Sequence, residues 1–225
     1  MLFKKPSWII TSLILLASCQ PTPEQAGVAA SPAAADFNLY FLQQTVADFP
    51  HWKEKYDASD SLRAAYGITH FKVAKILPDT GAIVVINRFT SLDQVKAFIA
   101  SPALKNTMKD AGVTRLAGMD YIHVLRDDTS PMASPDRLLA KFTVTDFSKW
   151  VTAFDQAGIA TEKENSLLIR GLGRGLLDTT QAYLVLAVID NKKVETYFQS
   201  ENWKKFIQSS GTTNTPSLLS YRFID

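Results

Sequence analysis

The stretch "TVADFPHWKEKYD", Thr45–Asp57, occurs a second time in altered form as "TVTDFSKWVTAFD", Thr143–Asp155. The two copies share Thr, Val, Asp, Phe, Trp and Asp at matching positions. In each copy an aspartate, a residue type that caps helix N-termini, precedes a phenylalanine and a tryptophan spaced for one helix face. The pattern therefore predicts the same capped helix twice, with its aromatic residues in the core.

Matches between the two halves continue beyond this stretch. Val194, Ser200, Lys204 and Gly211 correspond to Val95, Ser101, Lys105 and Gly112, and Tyr221 corresponds to Tyr121. One short match could arise by chance, but matches that stay in register across two helices and a strand indicate an internal duplication.

The order of elements in the first half predicts a fold. Aromatic and β-branched runs predict strands at "FNLYFLQQTV", "ITHFKVAKIL", "AIVVINRF" and "MDYIHVL", with helices after Asp48, Ser91 and Ser101. This is the β-α-β-β-α-β order of a ferredoxin-like unit, which covers only one face of its sheet with helices. We therefore predict an α+β fold in which two ferredoxin-like repeats, 37–126 and 137–225, are joined by a linker at 127–136 and pack sheet to sheet as an intrachain pseudo-dimer. The chain would then be a monomer.

The N-terminus has the features of an export signal. Lys4 and Lys5 precede an apolar segment, Trp8–Ala17, that is too short to span a membrane. The segment ends in "LASC", which resembles the bacterial lipobox and predicts a signal peptide at 1–18, acylation of Cys19 and a flexible tether at 19–36. Gln20 follows the cysteine, so the resemblance implies a lipid anchor in the bacterial cell envelope, at the outer membrane. The alternative is an ordinary secretory signal in which Cys19 has no such role.

Charge and cysteine content exclude several classes of function. Without Lys4 and Lys5, the 24 basic residues become 22, equal to the 22 acidic residues. A neutral chain with no basic stripe argues against nucleic acid as a partner. Because Cys19 is the single cysteine, the folded part has none for a disulfide, a thiolate nucleophile or a metal ligand.

The first repeat resembles the dimeric α/β-barrel superfamily, in particular small domains related to antibiotic biosynthesis monooxygenases. The resemblance covers Thr45–Val113 and rests on "TVADFPHW", "LRAAYGI" and "SLDQVKAFIASPALKNTMKDAGV". It implies relatives that include cofactor-free oxygenases of aromatic polyketides and haem-degrading enzymes, with a ligand between sheet and helices or inside the barrel. The second repeat departs from the pattern, with Thr161 and Asn165 where the first has Arg63 and Gly67.

Polar residues inside the predicted strands are the candidate ligand-binding residues. They are Tyr40, His70, Asn87, Arg88, Tyr121 and His123. If they face a barrel cavity, they would suit a small aromatic or amphiphilic ligand, and Tyr121 and His123, which share a strand face, are the best candidates. The alternative is that these residues face solvent or bond to one another.

The sequence offers little for metals or cofactors. Its three histidines, His51, His70 and His123, form no close ligand pair, so we predict neither a metal site nor a cofactor. The resemblance leaves haem as an alternative, with His70 or His123 as axial ligand. The glycine-rich "RGLGRG", Arg170–Gly175, leads into an apolar run rather than a helix and predicts a bulged strand, not a phosphate loop.

These features favour a membrane-anchored envelope lipoprotein whose barrel is a non-catalytic module that binds a small molecule or an envelope partner. Two alternatives remain open. One is a cofactor-free, monooxygenase-like enzyme that acts on a small aromatic substrate, and the other is a purely structural envelope protein.

Overall fold

The computed structural model describes residues 32–78, 81–164 and 166–224, with backbone only for 157–164. Within these ranges the first half of the chain forms β1 (Ala33–Val46), α1 (Phe49–Ala58), α2 (Asp60–Ala64), β2 (Ile68–Ile76), β3 (Ala82–Phe89), α3 (Leu92–Ala100), α4 (Pro102–Asp110) and β4 (Val113–Asp127). The second half forms β5 (Asp136–Thr143), α5 (Phe147–Glu164), β6 (Leu167–Gly175), β7 (Gln181–Val188), α6 (Asn191–Gln199), α7 (Glu201–Ser209) and β8 (Ser217–Phe223).

The eight strands of the described residues close into one antiparallel barrel in the order β1-β3-β2-β8-β5-β7-β6-β4. Two seams join the halves. At one seam Ala74–Ile76 of β2 pairs with Tyr221–Phe223 of β8, and at the other β4 pairs with β6 between Ile122 and Asp127. The predicted α+β class and closed barrel are confirmed.

Alternation along the strands separates the barrel interior from the helix-covered outside. On β1, Leu39 and Phe41 belong to the interior cluster, whereas Tyr40 packs outward against α3 residues such as Phe98. The helices of the second half cover a separate outer cluster around Trp150 and Phe154. The barrel interior is therefore lined by strands from both halves.

The repeated stretch forms the start of α1 and of α5. Asp48 Oδ1 accepts a hydrogen bond from the His51 amide at 2.7 Å, and Asp146 Oδ1 accepts one from the Lys149 amide at 2.9 Å. Trp52 and Trp150 are buried, with 2% and 0% of their surface exposed. The predicted caps and the buried aromatic residues are confirmed.

The start of β1 differs from the prediction. Residues 33–36 were assigned to the flexible tether, but β1 begins at Ala33, where Ala33 and Ala34 pair with Asp127 and Arg126. This backbone pairing, together with the packing of Ala35 against the interior cluster, extends the strand past Phe37 towards the N-terminus. The signal peptide 1–18, Cys19 and most of the tether lie outside the described residues.

Candidate functional site

A cavity of about 480 Å³ lies inside the barrel. Its walls are mainly apolar side chains from strands of both halves, including Leu39, Phe41, Ile86, Ile122, Val124, Leu139, Leu172, Val185, Tyr221 and Phe223. The volume falls within the range of ordinary small-molecule sites, and apolar walls with few polar groups are typical of them. This cavity is the strongest candidate site among the described residues.

The connection between β4 and β5, residues Asp128–Pro135, borders one end of the cavity, and we call it the strap. Arg170 holds the strap: its Nη1 donates to Asp128 Oδ2 at 2.7 Å and its Nη2 to the Ser130 carbonyl at 2.6 Å. Ser134 Oγ donates to the Val188 carbonyl at 2.8 Å. These bonds fix the strap to strands of the second half.

The glycine-rich "RGLGRG" is part of β6, as predicted, and one of its glycines is needed for the seam with β4. A Cβ on Gly173 would lie 2.6 Å from Ile122 Cγ2 and 2.8 Å from the His123 carbonyl oxygen. A side chain there would push the two strands apart, so the glycine allows the close approach that closes the barrel.

Arginines and aspartates are concentrated at the strap end. Ion pairs join Asp127 to Arg88 at 3.9 Å, Asp128 to Arg170 at 2.7 Å, and Asp136 to Arg222 at 2.5 Å. Hydrogen bonds from Arg222 lower the pKa of Asp136. Arg137 also lines the cavity but has no carboxylate oxygen of the described residues within salt-bridge distance.

A hydrogen-bonded triad of Asp120, Lys141 and Tyr183 closes the opposite end of the cavity. Lys141 lies on β5 four residues after Arg137. Tyr183 lines the cavity and donates to Asp120 Oδ1 at 2.8 Å, and Lys141 Nζ donates to the same oxygen at 2.5 Å. Burial and the Asp120 charge raise the pKa of Tyr183, so its phenol stays neutral. The triad places a neutral phenol at the cavity floor.

Three of the predicted site residues meet in one network, on the helix-covered face of the sheet. The Tyr56 hydroxyl donates to Asn87 Oδ1 at 2.7 Å, and Asn87 Nδ2 donates to the Tyr40 hydroxyl at 2.7 Å. His70 Nδ1 lies 3.0 Å from the Tyr56 hydroxyl and takes the donor role there, since that hydroxyl already donates to Asn87. Burial raises the pKa of Tyr40 to about 12.

The other three predicted residues lie apart from this network or at its edge. Tyr121 pairs with Tyr40 across β1 and β4, and burial raises its pKa. Arg88 stacks over the rings of Phe37 and Phe71, which line the cavity, at 4.0 and 4.5 Å. His123 Nδ1 lies 3.0 Å from Asn38 Oδ1.

None of the six predicted residues lines the barrel cavity, and the expectation that they face it is wrong except for Arg88, which shares the inward face of β3 with Ile86 and stacks over two lining rings. The six residues are Tyr40, His70, Asn87, Arg88, Tyr121 and His123. Tyr121 and His123 do share a strand face, but their neighbour Ile122 belongs to the interior cluster, so that face points away from the cavity. Contact between these residues and a ligand stays a prediction.

No protein-family model matches the sequence, and no curated protein is similar to it. Solved structures share its fold over most of both chains. A candidate chlorite dismutase matches with a TM-score of 0.58 and 8% identity, over 85% of this chain and 96% of its own. An anthrone oxidase-like protein matches with a TM-score of 0.55 and 13% identity, over 86% and 94%. A haem-binding protein from Thermus thermophilus matches with a TM-score of 0.53 and 10% identity, over 86% and 94%.

The chain shares its barrel fold with monooxygenase-like and chlorite dismutase-like structures. These neighbours contradict the prediction of a non-catalytic, membrane-anchored module, and they favour the monooxygenase-like alternative. None of the helices in the described part of the chain is long and apolar enough to cross a membrane. The acylation of Cys19 and an envelope location stay predictions.

The neighbours also correct the prediction that the protein has no cofactor, since they include a haem-binding protein and point to haem. The cavity fits haem in part. Its apolar walls suit the faces of a porphyrin, and Arg137 suits one of its carboxylates, whereas Arg170 is already paired with Asp128. However, His70 and His123, predicted as axial ligands, do not line it.

Met132 of the strap is the lining residue that best suits haem iron. Methionine and tyrosine are both known axial ligands, but burial raises the pKa of Tyr183 and Tyr221 and disfavours their phenolate forms. The thioether of Met132 needs no deprotonation.

Proposed function

We propose that the protein is a monooxygenase-like enzyme that takes a small aromatic molecule into the barrel cavity. The observation that carries this proposal is the cavity itself, about 480 Å³ of space between strands of both halves. Side chains in a well-packed core would fill such a volume, so its presence in the barrel favours a ligand site.

The lining favours aromatic ligands over other apolar ones. Phe37, Phe41, Phe71, Tyr221 and Phe223 present rings to the cavity. Aromatic pairs in offset or edge-to-face arrangements gain about 0.5–1.5 kcal/mol beyond the area they bury. Burial of about 200 Å² of ring surface would contribute roughly 5 kcal/mol before the costs of association.

Anthrone is a suitable first substrate, because one structural neighbour is anthrone oxidase-like. In its oxidation to anthraquinone the methylene carbon loses two hydrogens. One oxygen atom of O₂ becomes the new carbonyl and the other leaves as water. The substrate therefore supplies all the electrons, and the reaction balances with or without bound haem.

The test is oxygen uptake and anthraquinone formation by the purified protein, with and without added haemin. Val185→Trp should lower turnover towards the uncatalysed rate, because Val185 lines the cavity and an indole there would take up space that the ligand needs. The matched control is Leu116→Trp, which places the same side chain at a position 57% exposed. Equal turnover in both variants would place the reaction outside the cavity. If the purified protein binds none of the aromatic probes, the proposal is refuted.

Haem binding is the second candidate function, favoured by Met132 at the cavity and by the structural neighbours. Bound haem would supply redox chemistry at its iron. The test is a haemin titration followed by the Soret band. Met132→Leu should shift the band or weaken binding at least tenfold, whereas His70→Ala should change neither. A shift with His70→Ala alone would place haem elsewhere.

We also propose that residues 37–126 and 137–225 are two fused ferredoxin-like repeats. Because each repeat supplies a partner for the other, we propose that the chain is a monomer. Gly112 and Gly211 both adopt positive φ after equivalent helices, and Ser101 and Ser200 cap equivalent helices through their side chains. A fragment that ends near Asp128 should dimerise or aggregate in sedimentation experiments, because its interior face would lack a partner. A soluble, cooperatively folded, monomeric fragment would contradict this.

A further inference from the structure

We infer that the ligand of the barrel cavity carries an anionic oxygen, and that Arg137 is its counter-ion. This inference rests on the proposed function, because it names the chemical class of the molecule bound at the same site. Arg137 was not among the site residues predicted from the sequence.

Arg137 is a buried cation with 8% of its surface exposed. Its Nη1 donates to the carbonyls of Ser134 and Asp136 at 2.8 and 2.9 Å. Its Nε and Nη2 have no hydrogen-bond partner in the part of the chain that the structure describes. Carbonyls orient the guanidinium, but they do not neutralise its charge.

The neighbouring aspartates form no ion pair with Arg137, and Asp136 acts on it only through its charge at longer range. Asp136, adjacent in sequence, binds Arg222 through both carboxylate oxygens, and Asp128 binds Arg170. A buried cation without an ion-pair partner is costly, and the two carbonyl bonds of Arg137 and its position over the Phe223 ring at 5.1 Å offset only part of that cost. The burial that lowers the pKa of Arg137 reflects the same cost. An anionic ligand would supply the absent partner.

A second polar group accompanies Arg137 at the cavity wall. Tyr221 lines the cavity, and its hydroxyl has no hydrogen-bond partner among the described residues. Burial raises the pKa of Tyr221, while the positive charge of Arg137 opposes that rise. A guanidinium and a neutral phenol can both donate to one carboxylate or phenolate oxygen. The aromatic wall would then hold the ring to which that oxygen is attached.

An alternative role for Arg137 is to hold the strap through the carbonyls of Ser134 and Asp136. That role predicts equal effects on every ligand, charged or neutral. The charge role predicts a loss confined to anions. Two probes with the same ring system separate these roles: 2-naphthoate, which is anionic at neutral pH, and 2-naphthylmethanol, which is neutral.

The experiment measures dissociation constants of both probes by calorimetry for the wild type, Arg137→Met, Tyr221→Phe and the exposed control Arg115→Met. We expect the wild type to bind the naphthoate about ten- to a hundredfold more tightly, as for a hydrogen-bonded charge. Arg137→Met should remove that preference and change alcohol binding less than threefold. Arg115→Met should change neither.

Tyr221→Phe keeps the inference testable if Arg137→Met does not fold, and it should weaken naphthoate binding about threefold to tenfold with little effect on the alcohol. Equal binding of both probes by the wild type, abolished by Val185→Trp, would overturn the inference and leave the proposed function standing. Equal losses of both probes in Arg137→Met would likewise overturn it. Failure of both probes to bind the wild type would refute the proposed function itself.

Discussion

Substitution of Asn87 by alanine should destabilise the protein more than its single buried amide suggests. Asn87 has 0% of its surface exposed and links two phenols: its Oδ1 accepts from Tyr56 and its Nδ2 donates to Tyr40. Asn87→Ala removes both bonds and leaves the buried Tyr40 hydroxyl without its donor. It also leaves a cavity where the amide was.

Two hydrogen bonds of about 1 kcal/mol each, together with the cost of leaving a buried polar group unsatisfied, give roughly 3–4 kcal/mol of lost stability. For a domain of this size that corresponds to a fall in Tm of about 6–16 °C. Urea unfolding at pH 7 measures the free-energy change directly, provided the m-value is unchanged.

Asn38→Ala is the matched control, because Asn38 lies on neighbouring β1 and its side chain faces the partly exposed His123. It should cost less than about 1 kcal/mol, as partly exposed hydrogen bonds do. A loss below 1 kcal/mol for Asn87→Ala, or equal losses for both variants, would show that the network does not stabilise the fold.

Three further predictions concern charge, titration and packing. Burial raises the pKa of Tyr40 to about 12 from 10.0, so the folded state keeps a proton that the unfolded state loses. The contribution of Tyr40 to stability should be constant below pH 10 and fall between pH 10 and 12, by up to about 2.7 kcal/mol. Tyr40→Phe should make that fall shallower in unfolding titrations, and an unchanged slope would contradict the assignment. Arg137→Met should leave the ligand-free protein as stable as the wild type or more so, because it removes a buried unpaired charge; a loss above about 2 kcal/mol in urea unfolding would mean that its carbonyl contacts dominate. Gly173→Ala should cost several kcal/mol through its clash with Ile122 and the His123 carbonyl, and a wild-type melting temperature would count against a tightly closed seam.

The sequence predicted the barrel because its elements are marked by local signals. Asp48 and Asp146 each cap a helix through a hydrogen bond to an amide three residues later. These contacts, like the Phe-x-x-Trp spacing, involve residues close in sequence, so they can be predicted without knowing how the helix packs. Pairing of the two halves followed from the duplication, because each half leaves one sheet face without helices, and closure into a barrel followed from the family resemblance. These features can be predicted without knowing which side chains meet across the barrel.

The candidate site was predicted less well, because it depends on which strand face points inward. Tyr121 and His123 were grouped correctly by alternation, but Ile122 between them is the residue that faces inward. Tyr56 was not among the predicted site residues, yet its hydroxyl connects His70 with Asn87. A usable signal existed for one missed residue: Arg137 is two positions before Leu139, so both lie on the inward face of β5.

The central claim, that the barrel interior is a site for a small aromatic anion, is tested most directly by a crystal structure of the protein with 2-naphthoate. We expect the naphthalene ring to lie inside the barrel among Phe41, Ile122 and Tyr221, and the carboxylate of the probe to lie within hydrogen-bond distance of Arg137. A probe bound on the helix-covered face beside Tyr40, with the interior cavity unchanged, would contradict it.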